Sequence, residues 1–177
     1  MAERIAPVAV DRVGEALANL PSESWAVLQG LRIPGRRQVV DHVLVGPSGV
    51  HVLSSDKWQG QVRERTVRDA ADAAEAVASY LTSVIRDDVR PVLCYDTEEY
   101  VDAWSAGVVV ASASTVVELV SARRAVLEPD EVSAVGDELA GLASPSGEVK
   151  RQVGSHRAAD HRRVGLRLVR RSAPVPL

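Results

Sequence analysis

The stretch "DHVLVGPSGVHVLSSDKW", residues 41–58, predicts two antiparallel strands joined by a tight turn. The Gly-Pro-Ser-Gly segment at 46–49 is the turn, and valine-rich apolar runs flank it on both sides. Asp41 lies inside the first strand, after Val39 and Val40, although both faces of that strand are otherwise apolar, as in the central strand of a sheet. An unpaired buried carboxylate is costly, so Asp41 should have a partner, a metal ion or solvent from a cleft.

The second strand of this hairpin ends in polar residues whose positions suggest a site. Ser54 and Asp56 are two apart, so they lie on one face of the strand at its open end. Glu15 belongs to the first helix, one position after Gly14. Metal-dependent phosphodiester cleavage uses carboxylates that converge on a hard cation, together with a cation such as lysine that steadies the attacking water or the developing charge. We interpret these residues as the remains of a metal site.

The rest of the chain predicts an α/β sandwich with a mixed β-sheet flanked by helices. Helical patterns cover residues 10–20 and 66–86, and a last helix begins near Pro129 and ends near Gly141. Helices alternating with strands in this way are typical of the α/β class. The predicted strands are 25–33, 39–45, 50–55, a short one at 61–63, and the buried segments "RPVLCY" and "AGVVVA", each leading towards a helix.

Charge divides the chain into an acidic body and a basic extension. The chain has 177 residues, enough for one domain with a core and a tail. Residues 144–177 hold eight Lys or Arg and two acidic residues, a net charge of +6. The other 143 residues hold 13 basic and 22 acidic side chains, a net charge of −9. We therefore expect a folded domain over 1–143 and a basic C-terminal extension over 144–177.

The composition favours a soluble, cytoplasmic protein. The first ten residues, MAERIAPVAV, lack the sustained apolar segment of a secretory signal. No apolar run approaches the roughly 20 residues that cross a bilayer, so we expect no membrane contact. A lone cysteine, Cys94, has no partner for an internal disulfide and fits a reducing compartment.

Three segments, "VGEALANLP", "DHVLVGPSGVHVL" and "KWQGQV", resemble the nuclease-related domain (NERD) family of the PD-(D/E)xK restriction-endonuclease-like superfamily. The resemblance runs from about Val13 to Leu142 and is most specific between Gly14 and Gly60. It implies the restriction-endonuclease-like form of the α/β sandwich and a relation to metal-dependent nucleases.

The resemblance also implies a catalytic site, of which half is retained. The family has a helix glutamate, a strand aspartate, and a Glu-x-Lys motif that ends the next strand before an aromatic residue and a glycine. Glu15 and Asp41 match the first two positions and are the implied metal ligands. The tryptophan and glycine of "KWQGQV" set the register, in which Ser54 takes the glutamate position and Asp56 the lysine position. By this resemblance Asp41 looks like an inherited metal ligand, and the serines at 54 and 55 look like the place where catalysis was lost.

The leading hypothesis is a degenerate nuclease-related domain that binds nucleic acid or a partner, with lost or impaired phosphodiester cleavage. We expect no strongly bound cofactor, and Mg²⁺ or Mn²⁺ is the ion that a competent site would take. The first alternative is an active metal-dependent nuclease in which Asp56 and Lys57 replace the lost pair. Adjacent strand residues face opposite sides, so this alternative requires a bulge. In a further reading, Asp41 is a structural acid paired with Arg36 or Arg37.

The extension has several interpretations. A basic arm of this kind binds nucleic acid through phosphates, without sequence preference and with strong salt dependence. Alternation of Val164, Leu166 and Leu168 with arginines also suggests a strand that adds to the sheet edge of a protein partner, which is the adaptor alternative. Folding back onto the acidic body fits the charges equally well. The predicted phosphate-binding residues are Lys150, Arg151, Arg157, Arg162, Arg163, Arg167, Arg170 and Arg171.

Overall fold

The structure is a computed structural model that describes residues 11–142 and 151–152. It contains five helices and seven strands in these parts of the chain. The helices are α1 (Arg12–Leu17), α2 (Glu64–Ala78), α3 (Ser83–Arg86), α4 (Val116–Ser121) and α5 (Pro129–Gly141). The strands are β1 (Ala26–Arg32), β2 (Val39–Gly46), β3 (Gly49–Asp56), β4 (Val89–Tyr95), β5 (Asp102–Ser105), β6 (Val108–Ser112) and β7 (Arg151–Gln152).

The strands form one mixed sheet in the order β5-β6-β4-β3-β2-β1-β7. Strands β1, β2 and β3 are antiparallel neighbours, whereas β4 is parallel to β3 and β6 is parallel to β4. Strand β5 returns antiparallel to β6, and β7 pairs antiparallel with β1. The predicted α/β sandwich with a mixed sheet is confirmed, and it is the architecture expected of a restriction-endonuclease-like domain.

Helices cover both faces of this sheet. The side chains of β3 point alternately to the two faces and show which helices cover each face. Val50 and Val52 pack in one core with the alanine-rich face of α2 and with α5. Leu53 points the other way and packs in a second core with α1 and α4. All three side chains are fully buried. The small side chains of α2 allow its backbone to approach the central strands closely.

Two glycines allow the tight turn between β2 and β3. Gly49 has φ +112°, and a Cβ there would lie 2.6 Å from the carbonyl oxygen of Asp88. Gly46 has its Cα against the indole of Trp25, and a Cβ there would be 2.2 Å from a ring carbon. Neither position accepts a side chain without rearrangement, which explains the glycines of the Gly-Pro-Ser-Gly turn.

The structure corrects the predicted helix at 66–86. The helix is interrupted: α2 ends at Ala78, and the short α3 follows after a turn. In that turn the hydroxyl of Tyr80 donates to the carbonyl oxygen of Pro34, 2.8 Å away, and Leu81 is buried. A contact with a loop 46 residues earlier thus ends the helix, although the apolar periodicity continues beyond it.

Two further differences concern strands. The strand predicted at 61–63 does not form, because these residues are a loop that leads into α2. Strand β5 was not predicted, and it forms a hairpin with β6 through Ala106 and Gly107, whose φ angles are +46° and +84°. Two consecutive residues with positive φ suit a two-residue hairpin turn, but alanine is an unusual residue there.

Other expectations concern the ends of the fold. Helix α5 has its predicted bounds, with Pro129 in the first turn. Apart from β7, the basic extension lies outside the described residues, and so does the alternating segment at 163–170. None of the helices in the described part of the chain is long and apolar enough to span a membrane.

Candidate functional site

A pocket opens where β2 begins and β3 ends, on the face of the sheet that α2 covers. Its volume is about 220 Å³. Three of the four predicted catalytic residues, Asp41, Ser54 and Asp56, line it together. The full lining is Gln38, Val39, Asp41, Ser54, Ser55, Asp56, Thr66, Asp69 and Leu93.

The hairpin register places these side chains side by side. Val43 of β2 pairs with Val52 of β3, and both are fully buried under α2. Two residues further towards the open end, Asp41 and Ser54 occupy the same face, and Asp56 follows on β3. The sequence suggested a strand that is buried on both faces. At the start of β2 this is wrong, because Asp41 is exposed there. Solvent at the open end of the sheet is what makes this carboxylate tolerable.

Asp41 also has a backbone partner. Its Oδ2 accepts a hydrogen bond from the amide of Ser55 at 2.7 Å, so the carboxylate helps to hold the end of β3 against β2. Within residues 11–142, Asp41 forms no ion pair, which excludes the proposed pairing with Arg36 or Arg37 in this structure. The second oxygen, Oδ1, forms no hydrogen bond in the same range.

Both carboxylate oxygens of Asp56 have partners. Its Oδ1 accepts from the amide of Lys57 at 2.8 Å, and its Oδ2 forms an ion pair with the guanidinium of Arg63, immediately before α2. The hydrogen bond and the charge of Asp56 raise the pKa of Arg63. The position that the resemblance assigns to a lysine therefore carries a carboxylate that is already paired with a cation.

The backbone does not support the alternative in which Asp56 and Lys57 replace the lost Glu-x-Lys pair. Strand β3 pairs with β4 in continuous register from Val50 to Asp56, without a bulge. Lys57 lies beyond the strand, is exposed, and is not part of the pocket lining. The two side chains therefore do not converge on one point.

Helix α2 contributes two residues that the sequence analysis missed. Thr66 and Asp69 line the pocket from the first turns of the helix. The Thr66 hydroxyl donates to the carbonyl oxygen of Arg63 at 2.8 Å, and the Asp69 carboxylate lies 3.9 Å from Arg65. A signal for them was present, because positions 63, 66 and 69 follow helical spacing beside the buried alanines of this helix.

Glu15, the fourth predicted catalytic residue, is placed elsewhere. It is exposed on α1, which packs with α4 on the sheet face opposite to α2, and it does not line the pocket. Gly14 does not serve close packing onto the sheet: a Cβ there would lie 2.4 Å from the carboxylate of Asp11. That carboxylate caps α1 by accepting from the Gly14 amide at 2.9 Å.

The donor groups of this site do not fit a catalytic divalent cation. No group of three or more His, Cys, Asp or Glu side chains within the described residues is arranged to hold a metal ion. Asp56 is occupied by Arg63, one oxygen of Asp41 is held by Ser55, and Ser54 provides a hydroxyl where a carboxylate would be needed. Glu15 and Asp41 as a metal pair stay a prediction, which the placement of Glu15 on the opposite face of the sheet does not support.

Trp58 stabilises the loop beside the pocket. Its ring packs edge-on against Tyr95, with 4.8 Å between centroids, and its Nε1 donates to the carboxylate of Glu99 at 2.6 Å. The residue thus joins the loop after β3 to the loop after β4. It acts in packing and is only partly exposed.

The two strand histidines are buried structural residues. The Ser48 hydroxyl donates its only proton to the carbonyl oxygen of Val120 at 2.7 Å, so it accepts from Nε2 of His51 at 2.9 Å. Burial lowers the pKa of His51 to about 4, with smaller contributions from Arg123 and Arg90. Burial likewise lowers the pKa of His42.

Comparison with known families supports the resemblance. Residues 8–95 match the family model of the nuclease-related domain, abbreviated NERD. The matched region extends through β4 and includes Asp41, Ser54 and Asp56. No curated protein and no solved structure matches the chain.

Proposed function

Because the chain belongs to the nuclease-related domain family, we propose that it is a degenerate member with lost or impaired phosphodiester cleavage that binds nucleic acid through its basic extension. One observation carries the first half of the proposal. Asp56, which the resemblance assigns to the lysine position of the family motif, is paired with Arg63.

The chemistry explains why this pairing opposes cleavage. Hydrolysis of a phosphodiester builds negative charge, which a nuclease stabilises with a metal ion and a nearby cation. In this pocket Asp56 adds a negative charge at that point, and the charge of Arg63 is already compensated by Asp56. Ser54 adds no charge with which to bind a divalent ion.

The charge distribution supports binding through the extension. The acidic body repels phosphate, whereas residues 144–177 carry a net charge of +6. Contacts to phosphate release counterions and carry no information about the bases. The expected binding is therefore independent of sequence and strongly reduced by salt.

A cleavage assay tests the first half. The full-length protein is incubated with single- and double-stranded DNA and with RNA, in Mg²⁺ and in Mn²⁺. We expect no cleavage above that of the Asp41→Ala variant purified in the same way. Metal-dependent cleavage that disappears in Asp41→Ala would show that the protein is an active nuclease.

One observation favours that second candidate, an active nuclease with an altered site. Asp69 brings another carboxylate into the pocket that Asp41 lines. If these two replaced the lost motif, cleavage would be abolished by Asp41→Ala and by Asp69→Asn. Glu75→Gln, an exposed change further along the same helix, is the matched control.

A further inference from the structure

Strand β5 leaves one edge of the sheet open. It pairs with β6 on one side, and in the described part of the chain no strand pairs with its other side. The backbone N–H and C=O groups along such an edge are ready to pair with another extended segment. At the opposite edge the two-residue β7 pairs with Val27 and Leu28 of β1.

This edge lacks the usual protection and carries exposed aromatic surface. Its four residues include neither proline nor lysine, and Asp102 is its only charge. Trp104 is 61% exposed although Arg123 lies over one side of its ring, 5.9 Å from the centroid. Tyr100, two residues before the strand, is 76% exposed. Large exposed rings beside a free strand edge are typical of a binding surface.

We propose that the outer edge of β5 binds residues 163–170 of a second copy of this chain as an added strand. The segment reads "RVGLRLVR", and its apolar residues at 164, 166 and 168 alternate as in a strand with one apolar face. Backbone pairing supplies affinity, and the side chains on the apolar face pack beside Trp104.

Charge favours the same pairing. Glu98, Glu99 and Asp102 are exposed at or just before β5. Glu98 keeps 88% of its side chain exposed despite an Arg12 contact at 3.6 Å. The incoming segment carries three arginines and no acidic residue. Complementary charge of this kind steers association and selects the register.

The length of the chain favours a second copy over the same copy. Strand β7 ends at Gln152, and β5 lies six strand spacings away at the other edge, about 29 Å in a straight line. Ten residues lie between positions 152 and 163, and the eleven steps from one Cα to the next span at most about 40 Å when fully extended. A path around the sheet and its covering helices uses all of that reach. If two copies exchange their 163–170 segments, the segment need not reach β5 of its own copy. The reciprocal exchange closes a two-fold dimer.

The test measures the mass of the full-length protein by light scattering after gel filtration, over a range of concentrations and without nucleic acid. We expect a dimer. Trp104→Lys at the edge and the pair Leu166→Asp with Leu168→Asp in the extension should each weaken dimerisation by at least about tenfold. Ala158→Asp, outside the segment, is the control for the extension. Ala103→Lys also places a positive charge at the edge and replaces Trp104→Lys if that variant does not fold.

Mixing provides the decisive result. The edge variant keeps an intact extension, and the extension variant keeps an intact edge, so an equimolar mixture should form heterodimers held by one exchanged segment. Damage to folding would not be repaired in this way. A full-length protein that is monomeric at all concentrations, or a dimer that neither set of variants weakens, overturns the proposal. So does a monomer whose amides at 163–170 lose protection from hydrogen exchange in Trp104→Lys, because the segment then binds its own chain.

Discussion

Asp56 at the end of β3 and Arg63 at the start of α2 form an ion pair across the loop that connects these elements. The pair places a cation beside the pocket, but that cation comes from the helix side and is bound to a carboxylate. Replacing Asp56 with the lysine of the family motif would therefore bring two cations together, and restoring the motif requires a change at Arg63 as well.

A metal site should be recoverable by three substitutions. The variant combines Ser54→Glu, Asp56→Lys and Arg63→Gln. We expect it to bind Mn²⁺ more tightly than the unaltered protein in calorimetry, because the new carboxylate at position 54 would join Asp41 in the pocket. The same protein without Arg63→Gln should bind less tightly, since the new lysine at position 56 would be repelled by Arg63. The changes lie at a polar and partly open strand end, so the loss of stability should stay below about 4–5 kcal/mol.

The matched control adds Asp41→Ala to the three substitutions and should remove the gained affinity. If the triple variant folds normally and binds divalent ions no better than the unaltered protein, then the pocket is not the remnant of a metal site.

The buried histidine His51 should make stability depend on pH. Its pKa falls from 6.5 to about 4 on folding, so between these values the unfolded chain binds more protons than the folded protein. The contribution of His51 to the free energy of unfolding is therefore fully present at neutral pH. It is lost as the pH falls from 6.5 to about 4. The loss from this group amounts to about 2 kcal/mol between pH 7 and pH 5.

Chemical denaturation at pH 7 and pH 5 measures this effect. His51→Gln keeps a donor for Ser48 and cannot titrate, so its loss between the two pH values should be smaller by that amount. His42 titrates in both proteins and cancels in the comparison. Equal losses in the two proteins would show that His51 does not carry the pH dependence.

Nucleic-acid binding should depend on the extension and on salt. For duplex DNA, each phosphate neutralised adds about −0.9 to the slope of log affinity against log salt concentration. We expect Arg162→Gln with Arg163→Gln to reduce the magnitude of that slope by up to about 1.8, and a chain that ends at Leu142 to lose binding almost entirely. Fluorescence anisotropy with labelled DNA at several salt concentrations measures both.

Arg36→Gln with Arg37→Gln removes two exposed charges from the body and should leave the slope unchanged. A chain ending at Leu142 that binds as tightly as the full-length protein would contradict the role of the extension. If neither form binds at moderate salt, the adaptor function replaces nucleic-acid binding.

The turn glycine Gly49 should not tolerate alanine. A Cβ at this position meets the carbonyl oxygen of Asp88 at 2.6 Å, in addition to the strain of a positive φ. Gly60 also has a positive φ, +79°, but a Cβ added there would have no atom within 4 Å. Gly60→Ala should therefore cost roughly 1–2 kcal/mol from strain alone, and Gly49→Ala clearly more. Urea denaturation gives the difference, and equal costs would show that the turn relaxes freely.

Local patterns were sufficient for much of the fold and for part of the site. The alternation of residues in β2 and β3 places Asp41, Ser54 and Asp56 on one face, because the period of a strand depends only on the backbone. The Gly-Pro-Ser-Gly turn and the proline at the start of α5 act within a few residues of their own position. These features were predicted at nearly their observed bounds.

Packing between distant segments decided the rest. The end of α2 depends on a contact between Tyr80 and Pro34, and the pocket depends on α2 covering the face that carries Asp41. The ion pair of Asp56 with Arg63 forms because the loop between them brings the helix start back to the strand end. The placement of Glu15 on the opposite face follows from the packing of α1 against α4. Helical spacing groups positions 63, 66 and 69, but it does not say which strands that side of α2 meets, since each of these relations depends on which elements bury their apolar faces against each other.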